Sequence, residues 1–316
     1  MSLSSLPFEL ICYIIEHIDL QKSLNAFVKI NHRIHHAFNK RLYRLDQTHY
    51  GGSALIWAAM NREIRTAEMS LAEISGSRTE RRCLQAALHS AVESSFHAIV
   101  LLLLDNGADV NATCSNFGSA LYLASWLNDR DMMKLLVERG AEVNVQGGHY
   151  GNALQAASWA GNIEAIKLLL TNGANVNAQG GYFGNALQGA SWAGDQQTIT
   201  LLIDHGANVD AQGGYYGNAL QAASWRSTQH VVKFLIDCGA DINAQGGYYG
   251  NALQAASWRG HIQIVKLLVD MNADVNAQGG HYSNAHEAAL IGGHRRVLWL
   301  LQFWRLRQYL SMITSR

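Results

Sequence analysis

Proline is nearly absent from this chain: Pro7 is the single one in 316 residues. Proline-rich linkers are therefore excluded, and almost no position carries a residue that must break a helix. Cysteine is scarce as well. Cys12, Cys83, Cys114 and Cys238 form no Cys-x-x-Cys pair and stand near no histidine at zinc-ligand spacing. That usage gives no disulfide framework and no metal site, and it predicts a reducing, intracellular compartment, cytoplasmic or nuclear. Net charge is missing too, since 24 Lys and Arg balance 24 Asp and Glu. No global electrostatic case exists for nucleic acid or an anionic membrane. The longest pure aliphatic run, Ile99 to Leu104, is far shorter than the roughly 20 residues that span a bilayer. The N-terminus has no basic segment followed by an apolar run and does not read as a signal peptide.

The balanced charge is unevenly spread. Residues 1–50 carry six Lys and Arg against four acids, residues 51–283 carry 13 against 19, and the remainder carries five Arg against one acid. The last group (Arg295, Arg296, Arg305, Arg307 and Arg316) is read as a solvated end cap rather than a contact for an acidic partner.

What is present is a repeat. Leu88, Leu121, Leu154, Leu187, Leu220 and Leu253 stand 33 residues apart without an insertion, with Leu55 one period upstream and His286 one period downstream. Around these positions the chain writes Gly-Gly, two aromatic residues, Gly-Asn-Ala-Leu-Gln-Ala-Ala-Ser-Trp almost unchanged, as in 246–258. A fixed period of this size marks supersecondary units that bury their apolar faces only by stacking. Each unit closes on a second pattern, complete in Leu101-Leu102-Leu103-Leu104-Asp105-Asn106-Gly107-Ala108-Asp109-Val110-Asn111 and repeated up to Asn144, Asn177, Asn243 and Asn276, with Asp210 in the remaining unit. The period and this signature resemble those of ankyrin repeats over about residues 50–303. The resemblance implies an all-α solenoid with β-hairpin-like fingers.

Local chemistry agrees with that unit. Asn152, Asn185, Asn218, Asn251 and Asn284 stand where a first helix begins and offer a capping oxygen to its orphan amides. Gln155, Gln188, Gln221 and Gln254 follow three residues later, able to bond neighbouring backbone without titrating. Paired alanines such as Ala156-Ala157 are small enough for close helix approach, and Gly189 replaces one of them. The second helix carries Ile163, Ile166, Leu169 and Leu170 toward the next repeat. It ends at Gly107, Gly140, Gly173, Gly206, Gly239 or Asn272, residues suited to a left-handed cap. Residues 51–82 read as a degenerate first repeat with a polar break at 78–82, residues 83–282 as six regular repeats, and residues 283–308 as a capping repeat. In that cap Trp299 and Trp304 are expected to cover the open side of the preceding unit.

The first 46 residues are different. Ser4-Ser5-Leu6-Pro7-Phe8-Glu9-Leu10 reads as a helix start, followed by apolar spacing through Ile11, Ile14, Ile15 and Ile18. Two more short amphipathic segments follow, centred on Leu24 and on Phe38, making a small three-helix bundle. Leu6-Pro7-Phe8-Glu9-Leu10, Ile14-Ile15 and Leu42-Tyr43-Arg44 resemble an F-box. The resemblance implies docking on a Skp-type adaptor through Leu6, Pro7, Leu10, Ile14 and Ile15, and through it a cullin-type ubiquitin ligase.

Two columns of the repeat are not needed to build it. Trp126, Trp159, Trp192, Trp225 and Trp258 lie 33 apart at the end of each first helix, a position that faces the concave groove in ankyrin arrays. The fingers carry His149-Tyr150, Tyr182-Phe183, Tyr215-Tyr216, Tyr248-Tyr249 and His281-Tyr282. Beside the tryptophans the units differ, with Ala160, Ala193, Arg226 and Arg259. Together these predict an aromatic strip that holds a protein partner, with the variable residues tuning which one. Replacing Trp192 and Trp225 by Ala is expected to weaken capture while leaving the array folded.

Other chemistry finds no footing. Gly246-Gly247-x-x-Gly250 has no following Gly-Lys-Ser/Thr and recurs as a finger, so it is no phosphate loop. His32, His35 and His36 have no Cys or carboxylate to complete a metal set. No catalytic arrangement can be placed. The sequence therefore predicts a monomeric, non-enzymatic interaction protein without cofactor, metal, nucleic acid or membrane. It is either a substrate adaptor of a ubiquitin ligase or an ankyrin scaffold whose N-terminal helices act as a cap.

Overall fold

The protein is described by a computed structural model that covers residues 53–74, 80–114 and 117–314. The F-box-like segment, with Leu6, Pro7, Leu10, Ile14 and Ile15, lies outside the described residues. Sixteen helices and no strand are found among the described residues. They fall into two compact units that divide after Ala108.

The first unit holds two helix pairs, α1 (Ser53–Asn61) with α2 (Ile64–Ile74) and α3 (Glu80–Glu93) with α4 (His97–Asp105). Leu55, Ala58 and Ala59 of α1 and Ala87, Leu88 and Ala91 of α3 are completely buried, and the two helices pack together. The expected polar break is only partly one: Glu80, Arg81 and Arg82 form the first turn of α3.

The second unit stacks six further pairs. They are α5 (Ala120–Trp126) with α6 (Arg130–Glu138), α7 (Ala153–Ala160) with α8 (Ile163–Thr171), and α9 (Ala186–Ala193) with α10 (Gln196–Asp204). Then come α11 (Ala219–Arg226) with α12 (Gln229–Asp237), α13 (Ala252–Arg259) with α14 (Ile262–Asp270), and α15 (Ala285–Ile291) with α16 (Arg295–Thr314). In α7, every residue from Ala153 to Ser158 is buried, because the small side chains admit a neighbouring helix on either side. In α8 only Ala165, Ile166 and Leu169 are buried, one stripe of an amphipathic helix.

The caps follow the expected chemistry. The side chains of Asn152, Asn185, Asn218, Asn251 and Asn284 each accept from the amide three residues on. The glutamines have two tasks. Gln155 Oε1 accepts from Asn152 N at 2.7 Å, closing a capping box, while its Nε2 donates to Ala178 O and Gly184 O of the next finger. Gln221 does the same toward Asn218 N, Ala244 O and Gly250 O. A buried side chain thus ties the start of one repeat to the next.

A second tie uses the last residue of the signature. Asn144 accepts from Asn175 N and donates to Gly173 O, and Asn177 accepts from Asn208 N and donates to Gly206 O. Asp210 has no amide to donate and only accepts, from Asp241 N at 2.9 Å.

These fingers are tight loops closed by a backbone bond, from Gly180 N to Gly184 O, Gly213 N to Gly217 O and Gly246 N to Gly250 O, at 2.7–2.8 Å. The second glycine of the pair is required twice over. Gly214 has φ +62°, and a Cβ there would fall on the Phe183 carbonyl of the preceding finger. Successive fingers are joined by backbone bonds, Tyr182 N to His149 O, Tyr215 N to Tyr182 O, Tyr248 N to Tyr215 O and His281 N to Tyr248 O, at 2.9–3.0 Å. Backbones bonded in this way lie about 5 Å apart, whereas packed helices lie about 8–10 Å apart. This unit therefore curves toward its fingers, and the first helices line the concave side.

The last pair corrects one expectation. Val297 and Leu301, each 1% exposed, cover the preceding repeat, while Trp299 is 67% exposed and stacks on Phe303 at 5.8 Å. Trp304 is half-buried beneath the Arg307 guanidinium. Trp299 occupies the outer-face position that Lys266 holds one period earlier, so it points to solvent and does not cap. The terminal helix also continues to Thr314, beyond the expected end of the capping repeat at 308.

Candidate functional site

The aromatic residues of the concave side sort into three columns. The second residue of each finger points inward. Tyr150, Phe183, Tyr216, Tyr249 and Tyr282 stack at centroid separations of 5.7, 6.1, 6.3 and 6.3 Å. Phe183, Tyr216, Tyr249 and Tyr282 are between 2% and 8% exposed. They form a core with Ala222, Ala255 and Ala288, so their faces are not offered to a partner. The first residue of each finger points outward. His149, Tyr182, Tyr215, Tyr248 and His281 stack at 5.3, 5.5, 5.2 and 4.6 Å, with the edges of the three tyrosine rings in solvent.

The tryptophans form the third column. Trp159, Trp192, Trp225 and Trp258 are half-buried against the inner rings. The Trp159–Trp192 and Trp192–Trp225 centroids are both 6.4 Å apart. Trp126, at the far end of the column, is more exposed.

Hydrogen bonds join the columns. Trp192 Nε1–H donates to Tyr216 Oη at 3.0 Å and Trp225 Nε1–H to Tyr249 Oη at 2.9 Å. Burial first, and then the neighbouring phenols of the outer Tyr182 and Tyr215, push both hydroxyls above the ordinary tyrosine range, so they stay neutral. The layer before these two lacks the bond. Phe183 stands where Tyr216 and Tyr249 supply an acceptor, and the buried Trp159 Nε1–H has no partner.

Charge enters this surface at two points. The Arg226 guanidinium lies 4.8 Å from the Trp192 ring centroid and that of Arg259 lies 4.5 Å from Trp225, each reaching back to the preceding repeat. Both arginines are exposed. Elsewhere in the segments 145–161, 178–194, 211–227 and 244–260 no Lys, Arg, Asp or Glu occurs.

The structure thus brings Trp159, Trp192, Trp225, Trp258, Tyr182, Tyr215, Tyr248, Arg226 and Arg259 onto one strip. It withdraws Phe183, Tyr216, Tyr249 and Tyr282 into its foundation, with Tyr150 half-buried beside Trp159 at 4.6 Å. The inward-outward split was available from the rule that adjacent residues of an extended segment face opposite ways. The stacking of each arginine on the previous repeat's tryptophan has no signal within one period. Among the described residues, no group of three His, Cys, Asp or Glu comes together as a metal site, and no helix is long and apolar enough to cross a membrane.

Comparison with known proteins bears on the scaffold that carries this strip. No curated protein matches the chain. The crystal structure of the human ASB11 ankyrin repeat domain is similar in fold, with a TM-score of 0.56 and 23% identity, over 68% of this chain and 96% of that one. A family profile described as ankyrin repeats (3 copies) matches residues 70–147, 112–180, 153–246 and 187–279. These overlapping matches run together from residue 70 to residue 279, more than half of the chain, and the chain belongs to the ankyrin repeat family.

Proposed function

We propose that the chain is a recognition adaptor: its aromatic strip holds a protein, and its F-box-like segment joins that protein to a Skp-type adaptor and a cullin ubiquitin ligase. Ankyrin repeats are protein-interaction modules, and the observation that carries the recognition half is the strip itself. Tyr182, Tyr215 and Tyr248 keep 37–39% of their surface in solvent, beside two stacked arginines, on a foundation of buried rings that holds them in place. Rigid aromatic and arginine side chains with little entropy left to lose are the usual anchors of protein interfaces. The ligase half rests on Leu6, Pro7, Leu10, Ile14 and Ile15 and their resemblance to an F-box.

Tryptophan substitutions are poor probes, because Trp192 and Trp225 are hydrogen-bonded parts of the core. The test uses exposed residues instead. Full-length chain is compared by proximity labelling in cells with Tyr215→Ala/Arg226→Ala/Arg259→Ala and with Pro7→Ala/Leu10→Ala. The first variant is expected to lose a set of labelled proteins and keep the Skp adaptor, and the second to do the reverse. A labelling pattern untouched by the first variant rejects the strip. A wild-type chain that never labels a Skp adaptor leaves a scaffold without a ligase role.

A further inference from the structure

We infer that the strip reads an extended acidic segment of its partner, with carboxylates at positions i and i+2 set against Arg226 and Arg259. This rests on the strip being the recognition surface and names what that surface recognises. The two guanidiniums use their faces on Trp192 and Trp225, which leaves their N–H edges turned to solvent. Such a fork fits a carboxylate bidentately. Among the described residues no acid forms an ion pair with either one.

Spacing selects the chain conformation. Arg226 and Arg259 sit in equivalent places over rings whose centroids are 6.4 Å apart. An extended strand advances about 6.6 Å over two residues and returns its side chain to the same face. A helix brings side chains of one face about 6 Å apart only at i and i+4, a different register that peptide selection distinguishes, so enrichment of acids four apart overturns the extended reading. An extended peptide laid along the column therefore places alternate side chains in step with successive tryptophans. One step further, toward Trp159, the arginine position is taken by Ala193. There the matching partner residue is apolar, resting on a ring with no guanidinium above it.

Charge selects a short acidic peptide over a polyanion. Residues 109–283 carry eight Lys and Arg against 13 Asp and Glu. The strip offers a nucleic acid crossing several repeats only two cations, too few for the row of phosphates it would bring, and the acids flank it on the second helices and the loops. A peptide with two carboxylates needs only the strip.

The test is selection of random displayed dodecapeptides on the purified full chain, repeated on Arg226→Gln/Arg259→Gln. Circular dichroism verifies that the variant is folded, as expected for exposed side chains. Enrichment of Asp/Glu-x-Asp/Glu, with an apolar residue two positions to one side, supports the inference. A selected peptide should bind the variant at least tenfold more weakly and with a shallower salt dependence, and Lys167→Ala on the outer face should bind it as wild type does. Enriched peptides without the acidic pair, or with the pair undiminished on the variant, overturn the inference and leave the strip standing. No enrichment on wild type overturns both.

Discussion

In the layers of Trp159, Trp192 and Trp225, a single hydroxyl decides whether the indole N–H is paired. Trp192 and Trp225 give their indole N–H to Tyr216 and Tyr249, but Trp159 faces Phe183 and its buried N–H is left unpaired. An unmade buried hydrogen bond costs about 1–3 kcal/mol, and a formed one contributes about 1 kcal/mol net. Phe183→Tyr puts an acceptor where the neighbouring repeats have theirs, so it should raise stability by about 1 kcal/mol and the melting temperature by about 2–4 °C. Tyr216→Phe should lower stability by about 1–3 kcal/mol by orphaning Trp192. Urea and thermal melts of both variants check the pair. Equal stability of all three proteins would mean that the indole–phenol bonds carry nothing. By the same geometry Trp192→Ala/Trp225→Ala should cost stability, up to about 3–5 kcal/mol for each packed tryptophan removed, so a loss of capture by that variant would not isolate the strip.

Helix by helix, the first helix of each repeat was legible because its determinants are local. The Asn at its start acts within one unit, and the structure returns it as the cap, with the Gln three residues on closing a box at Gln155 and Gln221. The face of each finger ring was less legible. Alternation says that the two rings of a finger face opposite ways, but which of them faces inward is held by a backbone bond to a finger 33 residues away, as from Tyr215 N to Tyr182 O. The terminal helix α16 was misread for a related reason. Large aromatic residues can sit on either face of a second helix, so in α16 they alone did not reveal the buried side. Val297 and Leu301 do that work of burial, and Trp299 and Phe303 stand where Lys266 and Asp270 stand one period earlier. Leu301→Ala should therefore destabilise by about 2–5 kcal/mol. Trp299→Lys/Phe303→Asp, which restores the earlier polar pattern, should change stability by less than about 0.5 kcal/mol. Chemical unfolding followed by circular dichroism separates the two, and a large loss in the aromatic pair variant would return the capping role to Trp299.

Across the second unit, coupling runs between adjacent repeats. The side-chain bonds that join them span from 23 residues, as from Gln155 to Ala178, to 37, as from Asn162 to Ser125. No layer depends on a particular distant one, and every layer presents nearly the same surfaces. Excision of residues 186–218, one whole 33-residue period, should therefore close without a scar. Asn185 then caps the helix that Asn218 capped, Gln155 still reaches Ala178 and Gly184, and Arg226 arrives over Trp159. The shortened chain should unfold cooperatively at a lower midpoint, with a denaturant slope smaller by about a tenth, because it exposes that much less surface. Excision of residues 186–215, three short of the period, shifts the helix against its cap and finger and should lose cooperative unfolding. If the full-period excision fails to fold, the layers are not interchangeable and some contact beyond nearest neighbours holds them. If it folds and still binds the selected acidic peptides, the strip reads its partner by step and charge, with no requirement for the particular layer that was removed.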